Sequence, residues 1–201
     1  MMISRRLIFV LAFALGCVPA LMRPAGAQTS QQAQEFIRQT GEALVQIVNA
    51  TSSDTEKAQQ LQTIVDQRVD VDGIAKFVLG RFWRVATPAQ QQQYLGLFRR
   101  VLEVSIDSKL GEYKGVSFTV GRTTPSEGGQ LVSTVINRPG QSPANVDWLI
   151  QAVNGSPKIT DVVAEGTSLR LTQRADYSSF IVHNNDSIQA LLEAMRRQVS
   201  S

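Results

Sequence analysis

The sequence holds few side chains that could carry out a reaction. His183 is the single histidine of the 201 residues. It stands beside Asn184 and Asn185 in a stretch that reads as a loop. A metal site needs several His, Cys or carboxylate ligands, and His183 has no second histidine or neighbouring cysteine to join it. A serine nucleophile of the hydrolase type needs a Gly-x-Ser-x-Gly elbow, which is absent, as are a phosphate-cradling P-loop and a dinucleotide-binding Gly-x-Gly-x-x-Gly. The carboxylates offer two pairs. Asp70 and Asp72 lie two apart, so on a helix they do not face one another; their expected work is to cap and charge a helix start. Asp161 and Glu165 flank a strand end, where a buried acid could be tuned into a general base on an apolar substrate. A capping or solvated role is the plainer expectation for both. The basic pairs Arg99-Arg100 and Arg196-Arg197 read as solvated helix faces.

The elements that must position these groups fall into two halves. Gln31 to Val48 places Phe36, Ile37, Leu44, Ile47 and Val48 on one helical face. Asn49 to Ser53 is a polar break, and Ser53 with Glu56 forms a capping box. The helix it opens carries Ala58, Leu61, Ile64, Val65 and Val69. Asp70 to Trp83 is a shorter apolar segment punctuated by Gly73 and Gly80. Thr87-Pro88 is a hydroxyl N-cap with proline at the first helical position, predicting a helix to about Leu110. Tyr94, Leu95, Leu97, Phe98, Val101, Leu102, Val104 and Ile106 cover roughly half of its circumference. That stripe fits either a helix touching two layers of core or one that also lines a cavity.

The second half reads as strands at Val116–Val120, Gln130–Asn137, Ala144–Val153 and Lys158–Ala164, separated by turn residues at Arg138-Pro139-Gly140 and Asn154-Gly155-Ser156-Pro157. In the third of these, Val146, Trp148 and Ile150 face one way and Asp147 and Gln151 the other. Leu169 and Leu171 predict a short last strand. Phe180 and Ile181 fall in a short helical or irregular piece. A final helix, capped by Asp186, aligns Ile188, Leu191, Leu192, Met195 and Val199. Helices first and consecutive strands later predict an α+β domain with a mostly antiparallel meander.

Residues 1–27 have the three parts of a cleavable export signal: Arg5 and Arg6, an apolar run from Leu7 to Leu21, and small residues at Ala25-Gly26-Ala27. The run is shorter than the roughly twenty apolar residues that span a bilayer. Ser4-Arg5-Arg6 also resembles a twin-arginine start, and Ala14-Leu15-Gly16-Cys17 a lipoprotein box that would tether the chain through Cys17. The expected mature domain is therefore 28–201. The formal charge of +3 comes from this leader. Three of the 20 basic residues (Arg5, Arg6, Arg23) lie in it, leaving as many basic residues as the 17 acids. A neutral domain has no electrostatic footprint for nucleic acid and no bulk attraction to anionic lipid. The one cysteine, Cys17, also falls in the leader, so a mature domain has neither disulfide nor thiol nucleophile. About 174 residues suffice for one domain with a substantial core. Ample apolar surface with a thin chemical inventory points to a binder rather than an enzyme.

From Phe77 the chain resembles a known family. Phe77-Val78-Leu79-Gly80-Arg81-Phe82-Trp83-Arg84-Val85-Ala86-Thr87-Pro88-Ala89-Gln90 is similar to the VLG-x-[YF]-[WY]-[RK]-x-A-[ST]-P-x-Q signature of the MlaC family, periplasmic phospholipid-binding proteins also called toluene-tolerance auxiliary proteins. Asp161-Val162-Val163-Ala164-Glu165-Gly166-Thr167-Ser168 resembles its D-x-x-x-E-G-[VT]-S block, and Phe98, Leu102 and Ile106 stand in the places of its F-x-x-x-[FY]-x-x-x-L pattern. Arg174 stands where the family has an arginine. The family's Trp before the second block is missing from residues 155–160, and a subgroup encoded with hopanoid biosynthesis is the alternative assignment.

The resemblance implies a curved, mostly antiparallel sheet of four to five strands packed against several helices, like nuclear transport factor 2, with a deep apolar cavity for acyl tails. It implies no catalysis, no cofactor and no metal. The implied role is a monomeric carrier moving phospholipid between outer and inner membranes, maintaining outer-membrane lipid asymmetry. Its partners would be an inner-membrane ABC transporter complex, with its periplasmic substrate-receiving ring, and an outer-membrane lipoprotein–porin complex. A hopanoid is the alternative cargo. Residues expected to line the cavity are Phe77, Val78, Phe82, Tyr94, Phe98, Val101, Leu102, Ile106, Val135, Val146, Trp148, Ile150 and Val163. Such a carrier has a physical rationale: at about 0.8 kcal/mol per exposed methylene, two acyl chains of about sixteen carbons cost on the order of 20–25 kcal/mol to hold in water.

Overall fold

The computed structural model describes residues 29–200; the export signal, the twin-arginine start and Cys17 lie outside them. Helices α1 (Ser30–Asn49), α2 (Asp54–Arg68), α3 (Val71–Leu79), α4 (Arg81–Val85) and α5 (Pro88–Lys109) come first. After a 3₁₀ turn at Leu110–Tyr113 follow β1 (Ser117–Ser126), β2 (Gly129–Asn137), β3 (Ala144–Val153), β4 (Ser156–Ala164) and β5 (Thr167–Ser168), then α6 (Leu169–His183) and α7 (Ile188–Ser200). The five strands pair in sequence order as one open antiparallel meander. This is the expected α+β class. No helix among the described residues is long and apolar enough to cross a membrane.

Local chemistry sets most helix starts. Ser53 accepts from Glu56 N while the Glu56 carboxylate accepts from Ser53 N at 3.0 Å. Thr87 and Gln90 form the same reciprocal box ahead of Pro88. Asp70 Oδ1 accepts from Gly73 N at 3.1 Å and opens α3. Each bond satisfies one of the orphan donors of a first helical turn. The predicted 70–83 segment is two helices, because Gly80 at φ 58°, ψ −126° breaks the chain in a conformation that side chains with a Cβ avoid.

Three expectations near the C-terminus are corrected. Leu169 and Leu171 do not form a strand; they open α6 and are 50% and 55% exposed. Ser168 accepts from Leu171 N, and Asp161 Oδ1 accepts from Arg170 N. These two caps nucleate a helix where the alternating leucines alone suggest extended chain. Phe180, Ile181 and His183 belong to that same helix, so His183 is not in a loop; its Nδ1 lies 2.8 Å from the Ser179 carbonyl oxygen. Asp186 does not cap the last helix. It adopts φ 56°, and Ser187 Oγ accepts from Ala190 N instead.

Two cores follow from these elements. On one sheet face, Ala33, Phe36 and Ile37 of α1 pack on Val132, Ile150 and Ile159. Gly41 lets α1 approach closely: a Cβ there would stand 2.2 Å from the Phe118 ring. The second core is helical. Ala75, Leu79, Phe82, Tyr94, Ile181, Leu191, Leu192 and Met195 join α3 through α7, and the Tyr94 hydroxyl donates to the Ala75 carbonyl at 3.0 Å. Over most of β4 the outer edge has no strand partner, and the α2–α3 junction covers part of it. Asp70 N donates to Ile159 O at 3.0 Å, which blocks an edge that would otherwise invite foreign strands.

Candidate functional site

A third, smaller apolar cluster joins α1, α2 and the end of α5 to the sheet. Val48, Leu61, Leu110 and Val116 are its buried members, with Leu44, Val45, Ile47, Ile106, Tyr113 and Ile136 half-buried around them. A cleft opens on each side of it.

The first cleft, about 330 Å³, runs between α2 and α5. Ala58, Val65, Leu102, Ile106 and Leu110 supply its apolar wall, and charged side chains ring its mouth. Arg99 pairs with Asp66 of α2 and, at 3.3 Å, with Asp72 of α3. Arg100 pairs with Glu103, which also accepts from Gln62 Nε2 at 2.6 Å. The Arg99 pairs and the Gln62–Glu103 bond tie α5 across the mouth to α2 and α3, while Arg100–Glu103 lies within α5. They are half-exposed, so each contributes little to stability.

The second cleft, about 100 Å³, lies between α1 and the sheet. Its walls are Ile37, Gly41, Leu44, Val45 and Val48 on the helix side, and Val116, Phe118, Thr134, Ile136 and Trp148 on the sheet side, with Thr40 buried beside them. Its polar atoms are all occupied internally. Thr40 Oγ1 donates to Phe36 O at 2.7 Å. Thr134 Oγ1 donates to Val146 O at 2.8 Å and accepts from Trp148 Nε1 at 2.9 Å. Both threonine hydroxyl donors and the indole N–H are thus spent internally, and the surface facing the cleft is almost wholly apolar. A wall with no unpaired hydrogen-bonding group favours a ligand that brings none, because a polar guest would lose water without replacement.

The thirteen residues expected at the site separate into groups. Leu102 and Ile106 line the first cleft and Trp148 the second. Phe82 and Tyr94 are buried in the helical core, with Phe98 and Val101 packed against it. Val78 and Ile150 are fully buried, and Val146 is 8% exposed. The α5 stripe is thus divided: its first half is core, its second half faces a cleft. Val135 and Val163 lie on the opposite sheet face. They pair with Asn145 and Asp147, whereas Val146 pairs with Thr134 and Ala164, and Trp148 with Val132 and Val162. Partners directly across a ladder share a face. Phe77 is half-buried on α3, with the Arg170 and Arg174 guanidiniums 4.5 and 5.0 Å from its ring centre. The α1 wall, above all Gly41, Leu44 and Val45, was absent from the expected set. Its apolar periodicity was legible; its position over Trp148 was not.

The acid pair has structural employment. Asp161 is 5% exposed and accepts from Ser168 Oγ at 2.6 Å, Val162 N at 2.8 Å and Arg170 N at 3.2 Å. Arg170 Nε lies 3.2 Å from Asp161 Oδ2 without a well-formed hydrogen bond. This carboxylate starts α6 and neutralises a mostly buried arginine. Glu165 is exposed at φ 48°, and its carboxylate accepts from Asn145 N at 2.5 Å. Neither acid lines either cleft. Among the described residues, no three His, Cys, Asp or Glu side chains converge to hold a metal ion.

Comparison with known proteins places this geometry. Residues 31–197 match the family model described as "MlaC protein". The toluene tolerance protein ttg2D of Pseudomonas putida is 24% identical over 143 residues, 70% of this chain and 66% of that relative, just under two thirds of its length. Among solved structures, a phospholipid-binding protein from Ralstonia solanacearum, in complex with a phospholipid, superposes with a TM-score of 0.72 at 19% identity. The match covers 84% of this chain and 97% of the other. At that identity the likeness is one of fold.

Proposed function

The chain belongs to the MlaC family, and on that premise we propose that it is a non-enzymatic periplasmic carrier that binds a phospholipid by its acyl tails. The observation that carries the reading is the second cleft, whose threonine and tryptophan polar atoms are all bonded inward. That wall suits hydrocarbon and nothing that needs hydrogen bonds.

The Val48–Leu61–Leu110–Val116 cluster contributes Leu110 to the first cleft and Val48 and Val116 to the second, so it stands between them in this reading. Parting it joins them into a single apolar cavity between α1, α2, α5 and the sheet. Ligand pockets typically span about 300–1,000 Å³. The first cleft alone is at the lower end of that range and the second is below it, so lipid entry requires this opening. The charged mouth of the first cleft would leave a head group in water. In the cell the carrier would exchange lipid with an inner-membrane ABC transporter complex and its substrate-receiving ring, and with an outer-membrane lipoprotein–porin complex.

Native mass spectrometry of protein purified from the periplasm tests this. A co-purifying species of phospholipid mass is the expected result; a species of hopanoid mass would reassign the cargo. A chain that stays empty after exposure to labelled phospholipid vesicles would overturn the reading.

A further inference from the structure

The α3–α4 corner and the adjoining part of α6 carry cations without acid partners. Lys76, Arg81, Arg84 and Arg174 are all exposed, and among the described residues none pairs with a carboxylate. Asp72, one turn before Lys76 on α3, is engaged by Arg99. Three of the four cations lie over aromatic faces instead: Lys76 over Trp83 at 5.6 Å, Arg81 over Phe82 at 4.8 Å and Arg174 over Phe77 at 5.0 Å. Arg174 also lies against Gly80, which joins the α6 cation to the α3–α4 corner. Beside them Val85 is 72% exposed, the most exposed large apolar side chain of the described residues. The expected mature domain is neutral, so this concentration is local.

We propose that the Lys76–Arg81–Arg84–Arg174 surface, with Val85 at its tip, docks the protein onto an anionic phospholipid bilayer. Basic residues around an exposed apolar side chain and a half-buried tryptophan are what a membrane–water interface selects. The cations meet lipid phosphates, the apolar tip enters the acyl boundary and the indole sits at head-group depth. A fluid, anionic surface suits this patch better than an acidic protein would. None of these residues lines either cleft, and Val85 at the tip is open to solvent rather than recessed. The site lies apart from the cleft walls, so docking and tail binding are separable steps. The inference rests on the carrier reading only for its purpose.

The test is flotation of the mature protein with phosphatidylcholine vesicles made with and without phosphatidylglycerol. The expected result is partitioning onto the anionic vesicles alone, suppressed at high salt. The double variant R81Q/R84Q should lower that partition roughly twenty-fivefold, taking about fivefold for each basic residue near an anionic surface. V85S should weaken it at all salt concentrations. Thermal unfolding verifies that each variant is folded, and K76Q is the substitute if the double variant is not. Equal partitioning onto both vesicle types, or undiminished binding by the folded variants, overturns the proposal. Lipid loading, read by native mass spectrometry on the same samples, separates the two readings. Docking without loading overturns the carrier function alone; loading without docking overturns this surface alone.

Discussion

Arg174 lies across Gly80: a Cβ at that glycine would stand 3.0 Å from the Arg174 Nε. The contact ties the first family-like block to α6, just beyond the second. Arg174 and Arg170 share the Phe77 ring, and Arg170 in turn neutralises Asp161. The chain from Gly80 through Phe77 and Arg170 to Asp161 fastens α3 to α6 and β4. The signature residues here are structural fasteners, and the cleft walls lie elsewhere.

Gly80→Ala should destabilise the fold by about 2 kcal/mol, since it sets a Cβ in a backbone region reserved for glycine and presses it on a guanidinium. Urea unfolding measures the loss. An added Arg174→Ala should restore only part of it, because the backbone cost remains; full restoration would show that the side-chain contact was the whole effect.

Asp161→Asn should cost about 2–3 kcal/mol, less than the cost of breaking a fully buried pair because the Arg170 side chain keeps 16% of its surface in water. The same denaturant titration reports it. If Asp161 were instead a catalytic base with no structural duty, stability would be unchanged.

Leu102→Glu and Ile150→Glu should fail differently. Leu102 faces the first cleft, so a carboxylate there should leave the fold intact and reduce phospholipid loading by about tenfold or more, through the cost of burying a charge against tails. Ile150 is fully buried under α1, and its variant should not fold. Circular dichroism and native mass spectrometry together distinguish the two outcomes. A folded, fully loaded Leu102→Glu protein would remove that cleft from the binding path.

Alkali should destabilise the helical core. Burial, then the neighbouring Tyr177, holds Tyr94 well above the ordinary tyrosine value. Burial, then Asp176, pushes Tyr177 up to about 12. The folded state therefore keeps its phenolic protons where the unfolded chain, at about pH 10, releases them. That stability is fully present below about pH 10 and is lost as pH rises toward and through 12. Chemical denaturation across this range should show a falling unfolding free energy, with a shallower fall for Tyr177→Phe.

Much of the architecture could be read locally. The starts at Ser53, Asp70 and Thr87 rest on bonds between residues three apart, and the turns at 138–140 and 154–155 on Pro, Gly and Asn chemistry, although Ser156 and Pro157, expected in the second turn, already pair in β4. Such signals need no distant partner, so the order of helices and strands follows from sequence, as does the family-like spacing of the two blocks. Leu169 and Leu171 mark the first limit. Their alternation is equally compatible with a strand, and the cap from Asp161, eight residues upstream of Leu169, decides for a helix.

Tertiary structure alone decided the sites. Val135, Val146 and Val163 are equivalent as isolated strand residues; the pairing register sends Val146 to the α1 face and the other two away from it. Leu102 and Tyr94 sit on one apolar stripe, yet one borders a cleft and the other is core. The reason is physical. Core and cavity wall demand the same side-chain chemistry, and they differ only in whether another element closes over them. Over Tyr94 that closure is made by α3, α6 and α7, and over Ile150 by α1; these elements meet the site only through the tertiary fold, so the distinction appears only once the chain is folded.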